Sequence, residues 1–451
     1  MGSVISAVVS KEEIKFPFLR VPVTFYTLEN GHKIVIANKE GDLVNVSTWV
    51  KTGSLNENDE ISGISHFLEH LMFKGTPSHP AGDFDKTLEA KGAIVNAATW
   101  KDYTFYYVTL PKGHEYSYFY EALDLHADMM LNPTIPEEEV GPVFDFNNPQ
   151  VAEKRERYVV IEEIRMRHDQ PWTKIYNAVN KLMYKDHPYR RDVIGTGDII
   201  SSIPRDEIMD YYKKWYTPKN MTTIIVGDVD ADKIIDTVRE KFAFEERVEP
   251  EKLEYPVIVP QSEAQYVENK ANVNTGFAIM GFNGPKAANL KETIALDVIS
   301  LVLGEGKSSR LYQNLIEKLD PPVFNVVGTV QYHFKEGNTF FIQANYNPSE
   351  KDRALELIKV ELDRILKDSI TDEELKKAKK KLKAKFAEES ETVSEIGELI
   401  GHYMTVCEDI SGYIDYLGVL ESLSIDDIKL ISNKYLALNL MNTSVLLPEG
   451  K

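Results

Sequence analysis

The sequence predicts an α+β protein made of two tandem homologous domains, each a mixed sheet packed with helices. Three observations predict this class. The 451 residues suit two or three domains of ordinary size. Strand-like and helix-like segments alternate in both halves in a similar order. A charged stretch with three prolines separates the halves. We therefore predict a first domain at residues 1–245, a linker at 246–263 and a homologous second domain at 264–451.

The first half begins with strand signals. Residues 23–28 and 33–37 flank an Asn30-Gly31 turn and predict a hairpin, and residues 44–50 continue the sheet. A helix is predicted at 62–73, stopped by Gly75 and Pro77. The remaining predicted elements, in chain order, are a helix at 84–91, a strand at 103–110, a helix at 116–131, a charged helix at 151–168, a helix at 206–216 and a strand at 221–226.

The second half repeats this order. A strand is predicted at 276–282, followed by a Gly-Pro turn and a helix at 293–303. Residues 372–387 predict a helix whose many lysines most simply form a solvated face. The two halves share the order of their elements more than their residue identities, which indicates a diverged duplication.

The composition excludes several classes of protein. Hydrophobic residues make up 43% and charged residues 27%, which excludes global disorder. The net charge of −19 argues against nucleic acid and favours basic peptides as partners. No apolar run has the roughly 20 residues of a membrane span, so we expect a soluble protein. The apolar residues 4–9 are too few for a secretory signal, which favours the cytoplasm, or the periplasm if a signal peptide has been removed. The single Cys407 excludes an intrachain disulfide.

The strongest functional signal is the segment Ile64–Met72, ISHFLEHLM. On a helix, His66, Glu69 and His70 share one face, and the opposite face is an apolar stripe of Ile64, Phe67, Leu68, Leu71 and Met72. Two imidazoles one turn apart, with a carboxylate beside them, form the inverted H-x-x-E-H zinc motif. The alternative is that these three residues are ordinary surface groups on a solvated face.

A catalytic zinc site needs a third protein ligand besides the two histidines. The charged helix offers Glu153, Glu156, Glu162 and Glu163. Glu156 and Glu163 are seven residues apart and share a face within about 20°, whereas Glu162 points about 100° away from Glu163. Glutamates on a charged helix are usually only solvated, so the residues alone leave the choice of ligand open.

The chain resembles the pitrilysin family of zinc peptidases, the inverzincins, in the subfamily of mitochondrial processing peptidase and its bacterial relatives. The resemblance covers nearly the whole chain and rests on the segments HFLEHLMFKGT, ERYVVIEEI, GAIVNAATWKDYTFYY, WYTPKNMTTIIVGDV and GKSSRLYQNL. It implies zinc as cofactor, with His66, His70 and Glu163 as ligands. Residues 1–245 would then be the metal-binding catalytic domain and residues 264–451 the homologous domain without metal. The resemblance also implies Glu69 as general base and Glu156 as an accessory catalytic glutamate. The one departure is a longer gap before Glu163, where GPVFDFNNPQ looks inserted.

The resemblance further implies how a substrate would bind. A peptide would add as an edge strand against Asn96, Ala97, Ala98 and Thr99, although the residues alone fit an ordinary strand or loop equally well. The expected reaction is hydrolysis of peptide bonds in unfolded or presequence-like peptides by metal-activated water. The alternatives are a non-catalytic scaffold subunit of the same fold and a metal-binding protein without turnover.

The second half lacks one pair of residues that the resemblance leads us to expect. Family members that cleave alone carry an Arg and, seven residues later, a Tyr. Here Ile316 stands at the Arg position and Val323 or Phe324 at the Tyr position, while Arg310 and Tyr312 lie in the wrong register. The resemblance therefore implies a heterodimer with a paralogous subunit that supplies the Arg and Tyr. A homodimer or monomer that uses other donors is the alternative.

Overall fold

The computed structural model describes residues 4–144, 155–245, 248–250, 252–259 and 262–450. Within these residues the strands are β1 (Val8–Ile14), β2 (Val23–Leu28), β3 (Lys33–Asn38), β4 (Leu43–Val50), β5 (Ile94–Thr99), β6 (Thr104–Pro111), β7 (Met221–Gly227), β8 (Gln265–Ala271), β9 (Gly276–Asn283), β10 (Phe324–Tyr332), β11 (Thr339–Tyr346) and β12 (Asn442–Pro448).

The α-helices are α1 (Ile64–Met72), α2 (Asp83–Glu89), α3 (Ser117–Leu131), α4 (Glu137–Val140), α5 (Glu156–Asp169), α6 (Pro171–Tyr184), α7 (Gly197–Ser202), α8 (Arg205–Trp215), α9 (Ala231–Lys241), α10 (Leu290–Leu303), α11 (Lys351–Asp368), α12 (Asp372–Glu388), α13 (Val393–His402), α14 (Ser411–Ser422) and α15 (Ile425–Tyr435). None of the helices in the described residues is long and apolar enough to cross a bilayer.

The chain forms two compact units, and both are discontinuous in sequence. The first contains the described residues up to Ile164, together with Asp192–Glu254 and Ala387–Ile410. The second contains Arg165–Arg191, the described residues of Tyr255–Phe386, and those from Ser411 onward. Each unit therefore takes one helical segment from the other half of the sequence, α13 in the first unit and α6 in the second.

The first unit is built on a seven-stranded sheet in the order β1-β2-β3-β7-β4-β6-β5. Its centre is buried on both faces, because successive side chains of a strand point to opposite sides. On β4, Val44, Val46 and Val50 join the core formed with α1 and α3. The alternate residues face α13, where a Cβ on Gly401 would lie 2.0 Å from the Trp49 ring. Only glycine permits this close approach of helix and sheet.

The second unit is built on a five-stranded sheet in the order β10-β11-β9-β12-β8. Helices α10, α11, α14 and α15 contribute to its apolar core. Helix α6 packs against β9 and β12. A Cβ on Gly281 would lie 2.5 Å from Met183 Sδ of α6, so glycine again allows the close approach.

The two sheets show the predicted duplication directly. In the first, β3 pairs in parallel with β7, which continues antiparallel through β4 and β6 to the edge strand β5. In the second, β8 pairs in parallel with β12, which continues antiparallel through β9 and β11 to the edge strand β10. The prediction of two tandem α+β domains with mixed sheets is therefore confirmed.

The element predictions differ from the structure mainly at element ends. The helix predicted at 62–73 is α1, and the segment Asn96 to Thr99 forms part of strand β5. The helix predicted at 151–168 begins at Glu156, with 151–154 outside the described residues. Residues 145–150 of the segment that looks inserted also lie outside the described residues. The described residues within 246–263 form neither helix nor strand, and the division of the chain at this linker stays a prediction.

Candidate metal centre

Helix α1 carries the histidines and is fixed at its N-terminus by a buried carboxylate. Glu57 accepts hydrogen bonds from the backbone N–H groups of Gly63 and Ser65, at 2.8 and 3.0 Å. A negative charge at this end also interacts favourably with the helix dipole. Gly63 has φ +97°, and a Cβ there would lie 2.7 Å from the Ile194 carbonyl oxygen. The sequence at this end therefore fixes where α1 starts and which way its faces point.

Helix α1 is covered on both faces. The apolar stripe predicted from the sequence is fully buried. The polar face is covered as well, since His66 is 8% exposed and Glu69 is 9% exposed. His70 is half-buried. The alternative of three groups on a solvated helix face is therefore wrong for this structure.

His66, His70 and Glu163 come together beside α1. His66 Nε2 lies 3.7 Å from Glu163 Oε2, and His70 Nε2 lies 3.6 Å from the same oxygen. One ligand atom from each residue lies within 4.8 Å of the other two. Ligand atoms about 2 Å from a shared zinc ion in tetrahedral geometry are roughly 3.3 Å apart. The spacing of these donors therefore fits a single small cation.

The position of Glu163 depends on how α5 is anchored. The fully buried Arg157, near the start of α5, donates hydrogen bonds to the carbonyl oxygens of Val140, Ile200 and Ile203 at 2.6, 2.6 and 2.7 Å. This fan of bonds fixes the start of the helix and its rotation. Glu163 then follows about two turns along.

Glu156 lies behind His70 instead of beside the three converging donors. Its Oε1 is 2.8 Å from His70 Nδ1, and its Oε2 forms an ion pair with Lys74. Burial tends to raise the pKa of Glu156, but the hydrogen bonds from His70 and Lys74 outweigh burial and lower it. This carboxylate is in the position of an outer partner that orients a ligating imidazole. These contacts place Glu156 where it could orient the His70 ring, and its predicted role as an accessory catalytic glutamate stays a prediction.

The same contacts govern the charge on His70. Burial tends to lower its pKa, but hydrogen bonds to Glu156 and Glu163 and the nearby charge of Glu69 raise it to about 9. Three carboxylates around one imidazole form a strongly cation-attracting environment. In the metal-free chain the raised pKa favours a proton on His70, which carries the positive charge that these carboxylates attract. A bound cation would replace that proton.

Glu69 is tied to the edge strand of the sheet. Thr99, the last residue of β5, donates its hydroxyl hydrogen to Glu69 Oε2 at 2.6 Å. Glu69 precedes His70 in the chain and lies on the face of α1 that carries both histidines. The candidate base, the histidines and the end of β5 therefore form one connected cluster in the first unit.

Strand β5 lies at the edge of its sheet and pairs with β6 alone among the described strands. Trp100 N–H donates to the Tyr103 carbonyl oxygen, so the alternation of an antiparallel ladder turns the backbone groups of Ala97 and Thr99 away from β6. The Ala97 N–H donates a hydrogen bond to the Asn96 side-chain oxygen at 2.9 Å. Outward backbone groups of this kind can pair with an added strand.

The donor set also fits zinc chemically. Two imidazole nitrogens and one carboxylate oxygen are ordinary zinc ligands, and three protein ligands leave a position for water or substrate. The second-sphere bond from Glu156 to His70 is typical of such sites. Among the described residues, these three are the group of His, Cys, Asp or Glu side chains placed to hold a metal ion.

Comparison with known proteins decides the family. Over 417 residues, 91% of this chain and 89% of the relative, the chain is 31% identical to "Zinc protease PqqE" of Helicobacter pylori. The chain belongs to peptidase family M16. Residues 33–197 match the profile "Insulinase (Peptidase family M16)", and residues 202–382 match "Peptidase M16 inactive domain". The pitrilysin-like family expected from the sequence is confirmed.

Further M16 relatives agree in sequence and in structure. The chain is 30% identical to "Uncharacterized zinc protease YmxG" of Bacillus subtilis, over 79% of this chain and 82% of that one. Its structure matches the crystal structure of a protease from Helicobacter pylori with a TM-score of 0.84 and 27% identity, covering 98% of this chain and all of the other. Two named relatives are thus zinc proteases, and the two-unit fold is shared along the whole chain.

The sequence predicted the candidate site residues but not all of their partners. His66, His70 and Glu163 are brought together, and Asn96, Ala97, Ala98 and Thr99 lie on one edge strand. Their roles as ligands and substrate contacts stay predictions. The contacts of Lys74 with Glu156 and of Thr99 with Glu69 were missed. Only the position of Lys74, one turn after His70, could have signalled its contact.

Proposed function

We propose that this chain is a zinc-dependent endopeptidase, the metal-bearing catalytic subunit of an M16 enzyme similar to mitochondrial processing peptidase. The observation that carries the proposal is the convergence of His66 Nε2, His70 Nε2 and Glu163 Oε2 beside Glu69. Burial of this polar cluster next to an open sheet edge supports a catalytic role over a merely solvated surface.

The chemistry follows from the position of each group. His66, His70 and Glu163 would hold the ion, which when bound supplies a Lewis acid that acidifies water and polarises a peptide carbonyl. Glu69 takes a proton from the attacking water at its carboxylate and delivers it to the leaving amine. Glu156 accepts a hydrogen bond from the Nδ1–H group of neutral His70, which directs the His70 Nε2 lone pair towards the metal position beside Glu163. Hydrolysis then needs no covalent link between peptide and protein.

The substrate we propose is an unfolded or presequence-like peptide with basic character. An extended peptide would pair with the outward backbone groups of β5, and Ala97 and Ala98 are small enough to allow close approach. Pairing through backbone groups tolerates many side chains. The net charge of −19 favours basic peptides over acidic ones.

The partner we propose is a paralogous subunit that carries the missing Arg and Tyr. Ile316 and Val323 occupy two of the positions where the resemblance leads us to expect them, and Val323 is buried. Arg310 is already engaged, since its guanidinium binds the Glu374 carboxylate through two hydrogen bonds at 2.7 and 2.8 Å. A site without such donors stabilises a developing oxyanion poorly. A heterodimer resolves this, and a homodimer with other donors is the competing arrangement.

One experiment separates the candidate functions. Zinc content and cleavage of a quenched-fluorescence peptide library are measured for the chain alone and with a paralogue that carries the Arg and Tyr. The proposal expects bound zinc, little cleavage by the chain alone and strong cleavage by the pair. Bound zinc without cleavage in any pairing would indicate a metal-binding protein, and absence of both would indicate a scaffold subunit. Turnover by the chain alone that the paralogue does not raise would refute the heterodimer.

A further inference from the structure

Thr99 has a contact that peptide binding alone does not explain. In the proposed function the residues of β5 receive the peptide through their backbone. The Thr99 side chain is engaged elsewhere, because its hydroxyl donates to Glu69 Oε2 at 2.6 Å. A hydrogen bond to a carboxylate is short and roughly twice as strong as one between neutral groups. The contact therefore has the strength to orient the acceptor.

The direction of the Thr99 side chain follows from strand geometry. Alternate residues of β5 share a face, and Val95 and Ala97 on the face of Thr99 pack against the core that contains α1. Thr99 is thus the residue of that row that meets α1 at Glu69. Asn96 and Ala98 belong to the other face and cannot make this contact without a register shift.

Thr99 is also held firmly. It pairs with Thr104 across the hairpin, and the next residue, Trp100, donates its N–H to the Tyr103 carbonyl oxygen at 2.8 Å. The carbonyl oxygens of Trp100 and Lys101 accept hydrogen bonds from the backbone N–H groups of Ser54 and Leu55, at 3.3 and 2.8 Å. A donor fixed on both sides can hold a flexible carboxylate in one rotamer.

We infer that Thr99 is a positioning residue for Glu69, one that holds the carboxylate of the base in the orientation that proton transfer needs. This inference rests on the proposed function and extends it. The hydroxyl engages Oε2 and limits rotation of the carboxylate about its last side-chain bond. The strand that receives the peptide thereby also sets the position of the base.

The test compares T99V with T99S in the zinc-loaded enzyme paired with its partner. Removing the hydroxyl while keeping the shape should lower kcat by about 10- to 100-fold, the scale of a small misplacement of a reacting group. KM and zinc content should stay within about twofold, and T99S should restore most of kcat. The matched control is T87V on α2, since Thr87 is half-buried and its hydroxyl has no partner in the described parts of the chain. A rise in KM with unchanged kcat, or a T99S variant as slow as T99V, would overturn the inference.

A second measurement does not depend on turnover. Thermal unfolding of the metal-free chain is compared for T99V, E69A and the double variant, because the amide oxygen in E69Q could still accept the hydrogen bond from Thr99. The hydrogen bond predicts non-additive shifts in Tm, because either change removes the same interaction. Additive shifts would refute the contact itself. Non-additive shifts in a chain that cleaves no peptide with any partner would uphold the contact and refute the proposed function instead.

Discussion

Helices α1 and α10 occupy the same place in the two units and differ in chemistry. Helix α1 follows β4, which lies beside β7, and helix α10 follows β9, which lies beside β12. Strands β7 and β12 are the ones that also pair in parallel with a neighbour. Each helix precedes the edge strand of its sheet, β5 or β10. Most of the buried residues of both helices are apolar. Helix α1 turns His66, Glu69 and His70 towards α5 and β5. Helix α10 has no histidine, and its Asp297 pairs with His333 at 3.1 Å.

The comparison shows that the fold does not by itself make the site. In the described part of the second unit, no three His, Cys, Asp or Glu side chains are placed to hold a metal ion. Residues 202–382, most of which lie in the second unit, match the profile of the M16 inactive domain. The same sheet order and the same helix position support a polar cluster in one unit and an apolar core in the other. We therefore expect function to depend on a few side chains of the first unit and not on the fold that both units share.

The largest effect should come from Glu69, the proposed general base on α1. E69Q should lower turnover by at least about 100-fold, because it removes the general base. Zinc content and thermal stability serve as controls and should change little. Full activity in the zinc-loaded variant would contradict the role of Glu69 as general base.

A matched pair on α5 tests the third ligand. E163Q should weaken zinc binding by more than the 10- to 100-fold typical of second-sphere changes, because it removes a donor. E162Q should leave zinc binding unchanged, since Glu162 is exposed and points elsewhere. Competition with a chelator of known affinity measures both variants. The reverse order would show that the helix presents a different face to α1.

Changing Glu156, which contacts His70 from outside the group of proposed ligands, should have a smaller effect on zinc affinity. E156Q keeps the shape of the side chain but removes the charge that holds His70 Nδ1, so zinc affinity should fall by about 10-fold. Lys74 loses its ion pair in this variant, so K74M is the control for that loss. An E156Q variant with unchanged affinity and turnover would remove Glu156 from the positioning role.

The smallest predicted effect is on stability, and it should be confined to one unit. Zinc at about five times its dissociation constant should stabilise the first unit by about 1 kcal/mol against the metal-free form. Hydrogen exchange should then slow in α1 and α5 and stay unchanged in α10. Equal protection of α1 and α10 would mean that the metal does not act through the proposed ligands.

Much of the fold was predictable because it depends on local signals. The apolar stripe of α1 and its stop at Gly75 predicted that helix to within two residues, and the Asn30-Gly31 turn predicted the β2–β3 hairpin. The exchange of α6 and α13 between units was not predictable. It depends on which sheet face each helix covers, and close approaches such as Gly401 to Trp49 join residues hundreds of positions apart.

The site was predictable where spacing within one helix decides it. The shared face of His66, Glu69 and His70 follows from helical periodicity, and the H-x-x-E-H spacing singles these residues out. Glu163 could not be chosen over its neighbours from the residues, because that choice depends on how Arg157 anchors α5. The prediction that Glu156 and Glu163 lie on one face of α5 was correct. Their different contacts, one with His70 Nδ1 and one near Nε2, depend on the ring that lies between them.

The most direct test is to titrate zinc into the metal-free chain, mixed with a paralogue that carries the Arg and Tyr, and to follow bound metal and peptide cleavage together. The account predicts that cleavage rises in proportion to bound zinc and saturates at about one ion per chain, with neither rise in a variant lacking both His66 and His70. Cleavage that is already complete without zinc, or zinc bound in full by the variant without these histidines, would contradict it.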